Sequence, residues 1–409
     1  MKIRPIVYIV PLIILAVALL IGSSLLLRVF TLLFAVGLIG VIWTMTGLKG
    51  LYLKNGDVPD HCQVGGQFTE ELTIINRSIL PKLLLKAEEK TSLKGYNNTI
   101  VLNLPAGKSK TWQSTVECRR RGLHTLGSLT VAAGDPFGLL SNQSSLGTPK
   151  SIIVYPKVVG LPYFRSSYTG LLDFGYETSS RRTSQISPSA SSVREMVSGD
   201  SQEHIHWRST AHTGKLMVKV FDSEHSSDDT KDAWIVLDMQ QAAQAGQGEE
   251  STEEYGVTVA ASLAKKYLDD GMKVGLCASG EHSYTLTPGA DQPCFSQILE
   301  SLALIKATGN EPVESLLSET GRYGSSSAIV VITPQSTEGV LNALRRLKNY
   351  GHPVVAVLLD SSSFGGTLSP SYMAQVLGAT GSQAYIIRQG DNLAKALDTR
   401  KARWYTRYI

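Results

Sequence analysis

The sequence predicts a multi-domain protein in which a transmembrane helical hairpin precedes a small antiparallel β-sandwich and a C-terminal α/β domain. Three observations support this fold class. Residues 1–50 are almost entirely apolar, residues 55–165 consist of short strand-like runs between turn residues, and residues 193–409 alternate strand-like and helix-like patterns after a polar motif. A chain of 409 residues is long enough for two soluble domains besides the apolar segment.

The apolar N-terminal segment is too long for a single membrane span. A helix over residues 6–46 would measure about 60 Å at the 1.5 Å rise of an α-helix, whereas the hydrocarbon core of a bilayer is roughly 30 Å thick. A Gly-Ser-Ser turn at residues 22–24 divides the segment. We therefore predict two transmembrane helices, at about residues 5–21 and 25–46. A cleaved signal peptide is the competing interpretation, but a signal has a shorter apolar part and ends in a small-residue cleavage site.

The charges that flank the hairpin indicate its orientation. Lys2 and Arg4 precede the apolar segment, and Lys49 and Lys54 follow it. A hairpin returns both ends to one side of the membrane, and basic flanks favour the cytoplasmic side. We expect a multi-pass protein of the cell membrane that contacts the lipid bilayer and holds its soluble domains in the cytoplasm. An outward-facing arrangement is the alternative.

Charge and cysteine content exclude several classes of function. The net charge of +4 is small for the length, and no basic stripe with interleaved aromatic residues is present, so nucleic acid is not an expected partner. The four cysteines are widely spaced and form no Cys-x-x-Cys pair. We expect them to be reduced and structural, without a zinc or redox site.

The β-sandwich region contains one basic motif, Arg119-Arg120-Arg121-Gly122, at the end of a predicted strand. These arginines are open to two interpretations. They could contact an anionic partner or lipid headgroups, or they could pair with nearby carboxylates and carbonyl groups. The second interpretation is the one we favour.

The most distinctive motif of the chain follows a linker at residues 166–192 that is rich in Ser, Thr, Arg and Pro. It resembles the signature of the bacterial domain-of-unknown-function family 58 (DUF58). That signature reads Arg-Glu-aromatic, two residues, Gly-Asp, two residues, Arg, one residue, Ile, one residue, Trp, two residues, Ser/Thr-Ala-Arg. The residues that match it in register are Arg194, Glu195, Gly199, Asp200, Ile205, Trp207, Thr210 and Ala211.

The motif departs from the family signature at three positions. Glu203 and His212 stand where the family has arginine, and Met196 stands where it has an aromatic residue. An anion or carboxylate contact made by those arginines is therefore not expected to carry over. The motif residues are candidates for an interaction site: Arg194, Glu195, Gly199, Asp200, Glu203, Trp207 and His212.

Three histidines within and beside the motif suggest a metal site, which we weigh against a structural role. His204 and His206 would point to the same side of a strand. No histidine–carboxylate spacing of a known metal site is completed, so we expect no metal here. The alternative is a network of the motif's charged side chains around a buried Trp207.

The C-terminal region predicts a parallel sheet covered by helices on both faces. Its first strand ends in Asp238. In the DUF58 context this strand resembles the first strand of a von Willebrand factor A-type domain, whose Mg²⁺ site uses Asp-x-Ser-x-Ser and a later Thr and Asp. Here both serines are missing, and residues 333–336 offer no Asp. We expect a degenerate site centred on Asp238, without Mg²⁺ or another cofactor.

The DUF58 resemblance implies a membrane-anchored, non-enzymatic scaffold or interaction protein. It further implies a partner ATPase of the MoxR-type AAA+ class and a role in assembly or maturation of envelope complexes. Two alternatives are a hydrolase that uses Asp200 and Glu203, and a metal-dependent adhesion protein. The sequence does not indicate the oligomeric state.

Overall fold

The computed structural model describes residues 2–93, 95–135, 138–164, 192–196, 205–220, 232–280, 283–324 and 327–402. All but the last residue of the predicted linker at 166–192 lies outside these residues. The described part of the chain contains a pair of apolar helices, a group of antiparallel sheets and a mixed α/β sheet.

Two apolar helices begin the described chain: α1 (Ile6–Ile21) and α2 (Ser24–Gly47). Gly22 ends α1 in the left-handed region at φ 69°, and the Ser23 hydroxyl accepts a hydrogen bond from the Leu26 N–H at the start of α2. Among the described helices, α2 alone is long and apolar enough to cross a membrane by length and composition, and α1 is shorter. The membrane-spanning hairpin therefore remains a prediction.

The end of α2 packs against the β region that follows it. A Cβ atom on Gly47 would lie 2.9 Å from the Cβ of Ala133, so only glycine permits this approach. The Lys82 side chain is 3% exposed, and its Nζ donates to the Thr46 carbonyl at 2.6 Å. A cation thus satisfies one of the carbonyl groups that a helix C-terminus leaves without a partner.

The described residues of the β region form eleven strands in three sheets. In chain order they are β1 Lys2–Ile3, β2 Leu51–Asn55, β3 His61–Gln63, β4 Gln67–Asn76, β5 Lys82–Glu89, β6 Thr99–Leu104, β7 Ser109–Glu117, β8 Gly122–Leu126, β9 Leu129–Gly134, β10 Leu140–Leu146 and β11 Lys150–Tyr155. The sheet orders are β1-β10-β9-β5-β6, β2-β4-β7 and β3-β11-β8. Leu72 and Ile74 of β4 share a core with Leu85 of β5 and Val131 of β9, so the first two sheets pack face to face.

The third sheet corrects the prediction of a purely antiparallel sandwich. Strand β3 runs parallel to β11, whereas β8 runs antiparallel to it. Strand β3 has three residues, too few to show an alternating pattern. Strand β10 was also not predicted, because residues 141–145 are all polar and its place between β1 and β9 depends on backbone pairing.

The four cysteines are free in the structure. Cys118 is fully buried and lies beside Cys62 in the core of the third sheet. Burial raises the pKa of the Cys118 thiol to about 12, and the neighbouring Cys62 thiol adds to the effect. A thiol of this kind is inert at neutral pH, which fits a packing role.

Two carboxyl groups meet inside the sandwich. Glu70 of β4 is 1% exposed and Glu89 of β5 is 6% exposed. The Glu89 Oε2 accepts hydrogen bonds from Tyr96 Oη at 2.9 Å and Asn98 Nδ2 at 3.0 Å, and the two carboxyl groups are close enough to interact electrostatically. Burial, together with the charge of Glu89, raises the pKa of Glu70 to about 8. The Glu70 carboxyl group therefore keeps its proton at neutral pH.

We expect the protein to lose stability as the pH rises from about 5 to about 8. Folding raises the Glu70 pKa above its ordinary value of 4.5, so the folded state retains a proton that the unfolded chain has released. The unfolding free energy should fall by up to about 1.4 kcal/mol per pH unit. Thermal unfolding of the full chain in detergent micelles measures this slope. Glu70→Gln should flatten it, and Glu71→Gln, its exposed neighbour, should not; an unchanged slope in Glu70→Gln would contradict the assignment.

The described residues in and directly after the polar motif form a small unit of two strands and a helix. Strand β12 (Ser192–Glu195) pairs antiparallel with β13 (Met217–Val220), and α3 (Trp207–Thr213) lies between them in the chain. The run of residues 216–221 after the motif predicts a strand, and β13 lies within it.

The C-terminal sheet has the strand order β18-β17-β14-β19-β20-β21. Its strands are β14 Asp232–Asp238, β17 Lys273–Ser279, β18 Ser283–Gly289, β19 Ala328–Thr333, β20 Val354–Leu359 and β21 Gln383–Ile387, with a short hairpin of β15 Gly246–Gln247 and β16 Glu250–Ser251. The helices are α4 Thr252–Asp269, α5 Gln292–Leu304, α6 Val313–Ser318, α7 Glu338–Asn349, α8 Ser371–Ala379, α9 Leu393–Ala396 and α10 Thr399–Ala402. The sheet is mixed, because β18 runs antiparallel to β17 at one edge.

The side chains of β14 point alternately to the two faces of this sheet, and each face has its own hydrophobic core. Ile235 packs with α4 and α5 on one face, and Val236 packs with α6, α7 and α8 on the other. Strand β14 is therefore an unbroken apolar run, as a parallel strand covered on both sides requires. The spacing of apolar residues predicts helices over residues 255–268, 295–305 and 337–350, and α4, α5 and α7 lie at these positions.

The Arg121 side chain joins the sandwich to the α/β sheet. It is 4% exposed and forms ion pairs with Glu253, at 2.8 Å, and with Glu254 in the first turn of α4. Its Nε and Nη2 donate to the carbonyl groups of Leu302 and Ile305, both at 3.0 Å, at the end of α5. For this arginine the structure confirms pairing with carboxylates and carbonyl groups.

Replacement of Arg121 should destabilise the full chain far more than replacement of Arg119. Arg121→Ala leaves Glu253 and Glu254 without their buried partner, and such a loss costs about 3–5 kcal/mol. Arg119 pairs with Glu117 in an exposed position, where both side chains are about half exposed, so Arg119→Ala should cost about 1 kcal/mol or less. Chemical denaturation in detergent compares the two variants. Equal losses would show that Arg121 is not the joint between the two regions.

Candidate functional site

The candidate site lies at the carboxyl edge of the α/β sheet, between β14 and β19. After β14 the chain passes to β17 on one side, and later returns to β19 on the other side. The direction in which successive strands are added to the sheet reverses between β14 and β19. Open α/β sheets bind ligands in the crevice formed at such a point. Asp238 is the last residue of β14 and Thr333 is the last residue of β19. The topology thus brings these two side chains together.

Asp238 is held by a closed set of hydrogen bonds. It is 2% exposed. Its Oδ2 accepts from Thr333 Oγ1 at 2.6 Å and from Gln335 Nε2 at 3.0 Å, while its Oδ1 accepts from the Gln240 backbone N–H at 3.1 Å. The Gln335 amide also donates to Gln240 Oε1 at 2.8 Å. One amide group therefore bridges the loops that follow the two strands.

The electrostatics of Asp238 follow from this arrangement. Burial raises its pKa, and the hydrogen bonds from Thr333, Gln240 and Gln335 oppose that rise. The charge of Glu314 adds to the rise. All the donors that contact the carboxylate are neutral groups, so it is held by dipoles rather than by an ion pair.

The residues around Asp238 do not fit a Mg²⁺ ion. That ion requires a near-octahedral set of oxygen ligands at about 2.0–2.1 Å. Here the Gln335 amide nitrogen lies between Asp238 Oδ2 and Gln240 Oε1, the two oxygens that a cation would need. Within the described ranges, no group of three His, Cys, Asp or Glu side chains is placed to hold a metal. The network ties two loops together and provides no cation site.

A second buried carboxylate lies further along the same edge. Asp360 directly follows β20, is 5% exposed, and lies 3.2 Å from Nε of Arg388. It also accepts a hydrogen bond from Ser362 Oγ at 2.6 Å. The next residue, Ser361, donates to the Pro334 carbonyl at 2.9 Å. Each polar group that ends a central strand is thus engaged by a neighbouring loop.

The described motif residues lie in other elements than Asp238, which ends β14. The backbone of Arg194 and Glu195 lies in β12, opposite Val218 and Met217. His212 is exposed in the last turn of α3. Three further motif residues, Gly199, Asp200 and Glu203, lie outside the described residues.

Two expectations about the motif are wrong. Trp207 is 68% exposed rather than buried. His206 is not part of a strand: it caps α3, where its Nδ1 accepts a hydrogen bond from the Ser209 N–H at 3.2 Å. The motif turns into a helix at this point because a side-chain acceptor is available at the N-cap position.

Sequence reasoning identified Asp238 but missed Gln240 and Gln335 as its partners. A metal site would need a second carboxylate after β19, whereas Gln335 carries an amide. The sequence does contain a signal: Asp238 and Thr333 end two strands that are adjacent in the sheet, and a glutamine lies two residues after each of them. Recognising that adjacency required the strand order.

Comparison with known proteins gives the family. Residues 192–362 match the family model described as protein of unknown function DUF58. The resemblance to the DUF58 family is thereby shown for residues 192–362. The DUF58 segment begins with β12 and ends in the turn after β20, so it includes both the motif unit and the Asp238 network.

The remaining similarities are limited in extent or depth. The uncharacterized protein YeaD of Bacillus subtilis (strain 168) is 27% identical over 227 residues, which cover 54% of this chain and 53% of YeaD. The chain thus spans about half the length of this curated relative. A β-glucosidase from Listeria innocua has 16% identity and a TM-score of 0.18 over 25% of this chain and 16% of its own. The CARDB domain of PF1109 from Pyrococcus furiosus has 12% identity and a TM-score of 0.21 over 25% of this chain and 91% of its own. Scores this low carry no argument about fold or function.

We expect no saturable binding of Mg²⁺ to the full chain in calorimetric titration, because the Gln335 amide fills the space between the two oxygens. Asp238→Asn should lower the unfolding free energy by about 1–3 kcal/mol, since it removes an acceptor from buried donors. Asp360→Asn is the matched control, an equally buried carboxylate on the same edge. Saturable Mg²⁺ heats that disappear in Asp238→Asn and persist in Asp360→Asn would contradict this assignment.

Proposed function

We propose that this protein is a membrane-anchored, non-enzymatic interaction protein that works with a MoxR-type AAA+ ATPase in assembly or maturation of envelope complexes. The observation that carries the proposal is the closed network at Asp238. The crevice in which an α/β sheet would bind a ligand is filled by the protein's own side chains. A surface for another protein is the remaining use of the DUF58 segment that the geometry favours.

The anchor in this proposal is a two-helix hairpin of α1 and α2. Its support is the length and apolar character of α2, together with the shorter apolar α1 directly before it. Lys2 and Arg4 before the helices and Lys49 after them favour a cytoplasmic position for the soluble regions. A cytoplasmic ATPase could reach the DUF58 segment in that orientation.

The α/β sheet in this proposal is a von Willebrand factor A-like domain with a degenerate metal site. Counted from β14 and leaving out the β15–β16 hairpin, its strands lie in the order third-second-first-fourth-fifth-sixth, which is a doubly wound order. An aspartate ends the first strand, as the resemblance requires. Its contacts are those of a structural residue, which favours a protein-binding role that does not use a metal.

Trp207 is the side chain of the DUF58 segment that best suits a protein contact. It is 68% exposed and lies at the start of α3. Exposed tryptophans become anchors when a partner buries them. The neighbouring Leu216 is 50% exposed, so the unit presents more than one apolar side chain.

The proposal predicts that a membrane-permeant crosslinker will link the full chain to an AAA+ ATPase in bacterial cells, whereas an impermeant crosslinker will not. Trp207→Ala should reduce the captured ATPase about tenfold, as expected for an interface anchor. Tyr372→Ala is the matched control, because Tyr372 is 71% exposed and lies outside the DUF58 segment. Capture of no ATPase would refute the partner, and capture by the impermeant reagent would refute the orientation.

A further inference from the structure

An apolar loop of the sandwich projects beside the end of α2. It consists of residues 79–84, which are the end of the β4–β5 connection and the first three residues of β5, and we call it the 79–84 loop. Its apolar side chains are open to solvent: Ile79 is 93% exposed, Leu80 49%, Leu83 43% and Leu84 58%. Single exposed leucines are common on protein surfaces, but a contiguous apolar group of this kind marks an interaction site.

The backbone of this loop is held in an unfavourable conformation that turns an apolar side chain outward. Leu84 has φ 51°, in the left-handed region that a leucine rarely adopts. The pairing of β5 with β6 shifts register at this point, and the Leu84 N–H donates to Asn103 Oδ1 at 2.8 Å. Strain retained at an exposed residue indicates a functional constraint.

The 79–84 loop is fixed rigidly to α2. Leu80 and Leu83 line a small crevice together with Trp43 and Thr46 of that helix. The buried Lys82 donates to the Thr46 carbonyl at 2.6 Å. The height of the loop along the α2 axis is therefore set by this contact.

The lengths of α1 and α2 indicate where the 79–84 loop would lie relative to a bilayer. Helix α1 has 16 residues and is about 24 Å long, about 6 Å shorter than a hydrocarbon core of roughly 30 Å. Counted from Ser24, α2 reaches 30 Å after about 20 residues, close to Trp43. Tryptophan is enriched at the membrane–water interface. The loop beside Trp43 would therefore lie at the bilayer surface.

We propose that the 79–84 loop is a second membrane contact, which inserts its apolar side chains into the boundary between headgroups and acyl chains beside α2. This inference rests on the proposed membrane anchoring. The partner is the lipid surface itself, which the loop would meet beside α2 at the height of Trp43. Nearby, Arg77 stacks on the half-exposed Tyr52 at 4.7 Å, a pair of residue types suited to headgroups.

A depth measurement on the full chain in vesicles tests this contact. Single cysteines at Ile79, Ile39 and Leu123 would be spin-labelled in a background in which the partly exposed Cys62 and Cys294 are serine. Ile39 is 63% exposed on α2, and Leu123 is 58% exposed on β8 of the third sheet. Vesicles of phosphatidylethanolamine and phosphatidylglycerol supply the lipid. Oxygen and a water-soluble nickel chelate report the surroundings of each label.

We expect the labels at 39 and 79 to collide several-fold more with oxygen than with nickel, and the label at 123 to show the reverse. A label at 79 that behaves like the label at 123, with 39 in lipid, overturns the loop contact and leaves the anchoring intact. Labels at both 39 and 79 in water overturn the anchoring as well. Leu80→Cys gives a second probe of the same loop.

Discussion

Two buried cations connect the three parts of the described chain, and the relative position of those parts depends on them. Lys82 donates to the end of α2, and Arg121 binds the beginning of α4 and the end of α5. A charge that leaves water must recover its hydration free energy from fixed partners. Carboxylates and the free carbonyl groups of helix ends supply those partners, so each cation holds its two elements in one geometry.

Through these contacts the sandwich is attached to the apolar helix α2 at one end and to the α/β sheet at the other. The sandwich is held to α2 at Gly47, where a side chain would meet Ala133, and it is held to the sheet at Arg121. The orientation of the DUF58 segment relative to α2 is therefore set by buried, directional contacts on both sides of the sandwich. Such an arrangement suits a protein that presents a surface at a fixed height above a membrane.

The Asp238 network shows how an aspartate buried at the end of a central strand can be satisfied without a cation. A carboxylate buried at the end of a central strand needs donors, and a divalent cation or hydrogen-bonding groups can satisfy it. Thr333 and Gln335 satisfy it with neutral donors. The amide of Gln335 also binds Gln240, which makes the network self-contained and favours a structural role for the loops that it joins.

Strands with clear alternation were predictable because burial on one face imposes a period of two residues. Residues 67–76 have this alternation and form β4, whereas the three-residue β3 and the polar β10 carry no such period. The candidate site was only half predictable. Asp238 follows an apolar run that marks its strand, but Gln335 became its partner through a sheet order that no local pattern contains.

The sequence alone determined the apolar helices, most strands of the sandwich and of the α/β sheet, and the DUF58 motif, because each depends on neighbouring residues along the chain. The tertiary structure decided which distant groups meet. It brought Glu70 to Glu89, Arg121 to α4, and Gln335 to Asp238, and it left Trp207 exposed. Buried polar groups must find partners wherever the fold provides them, and the distance along the chain does not limit that choice.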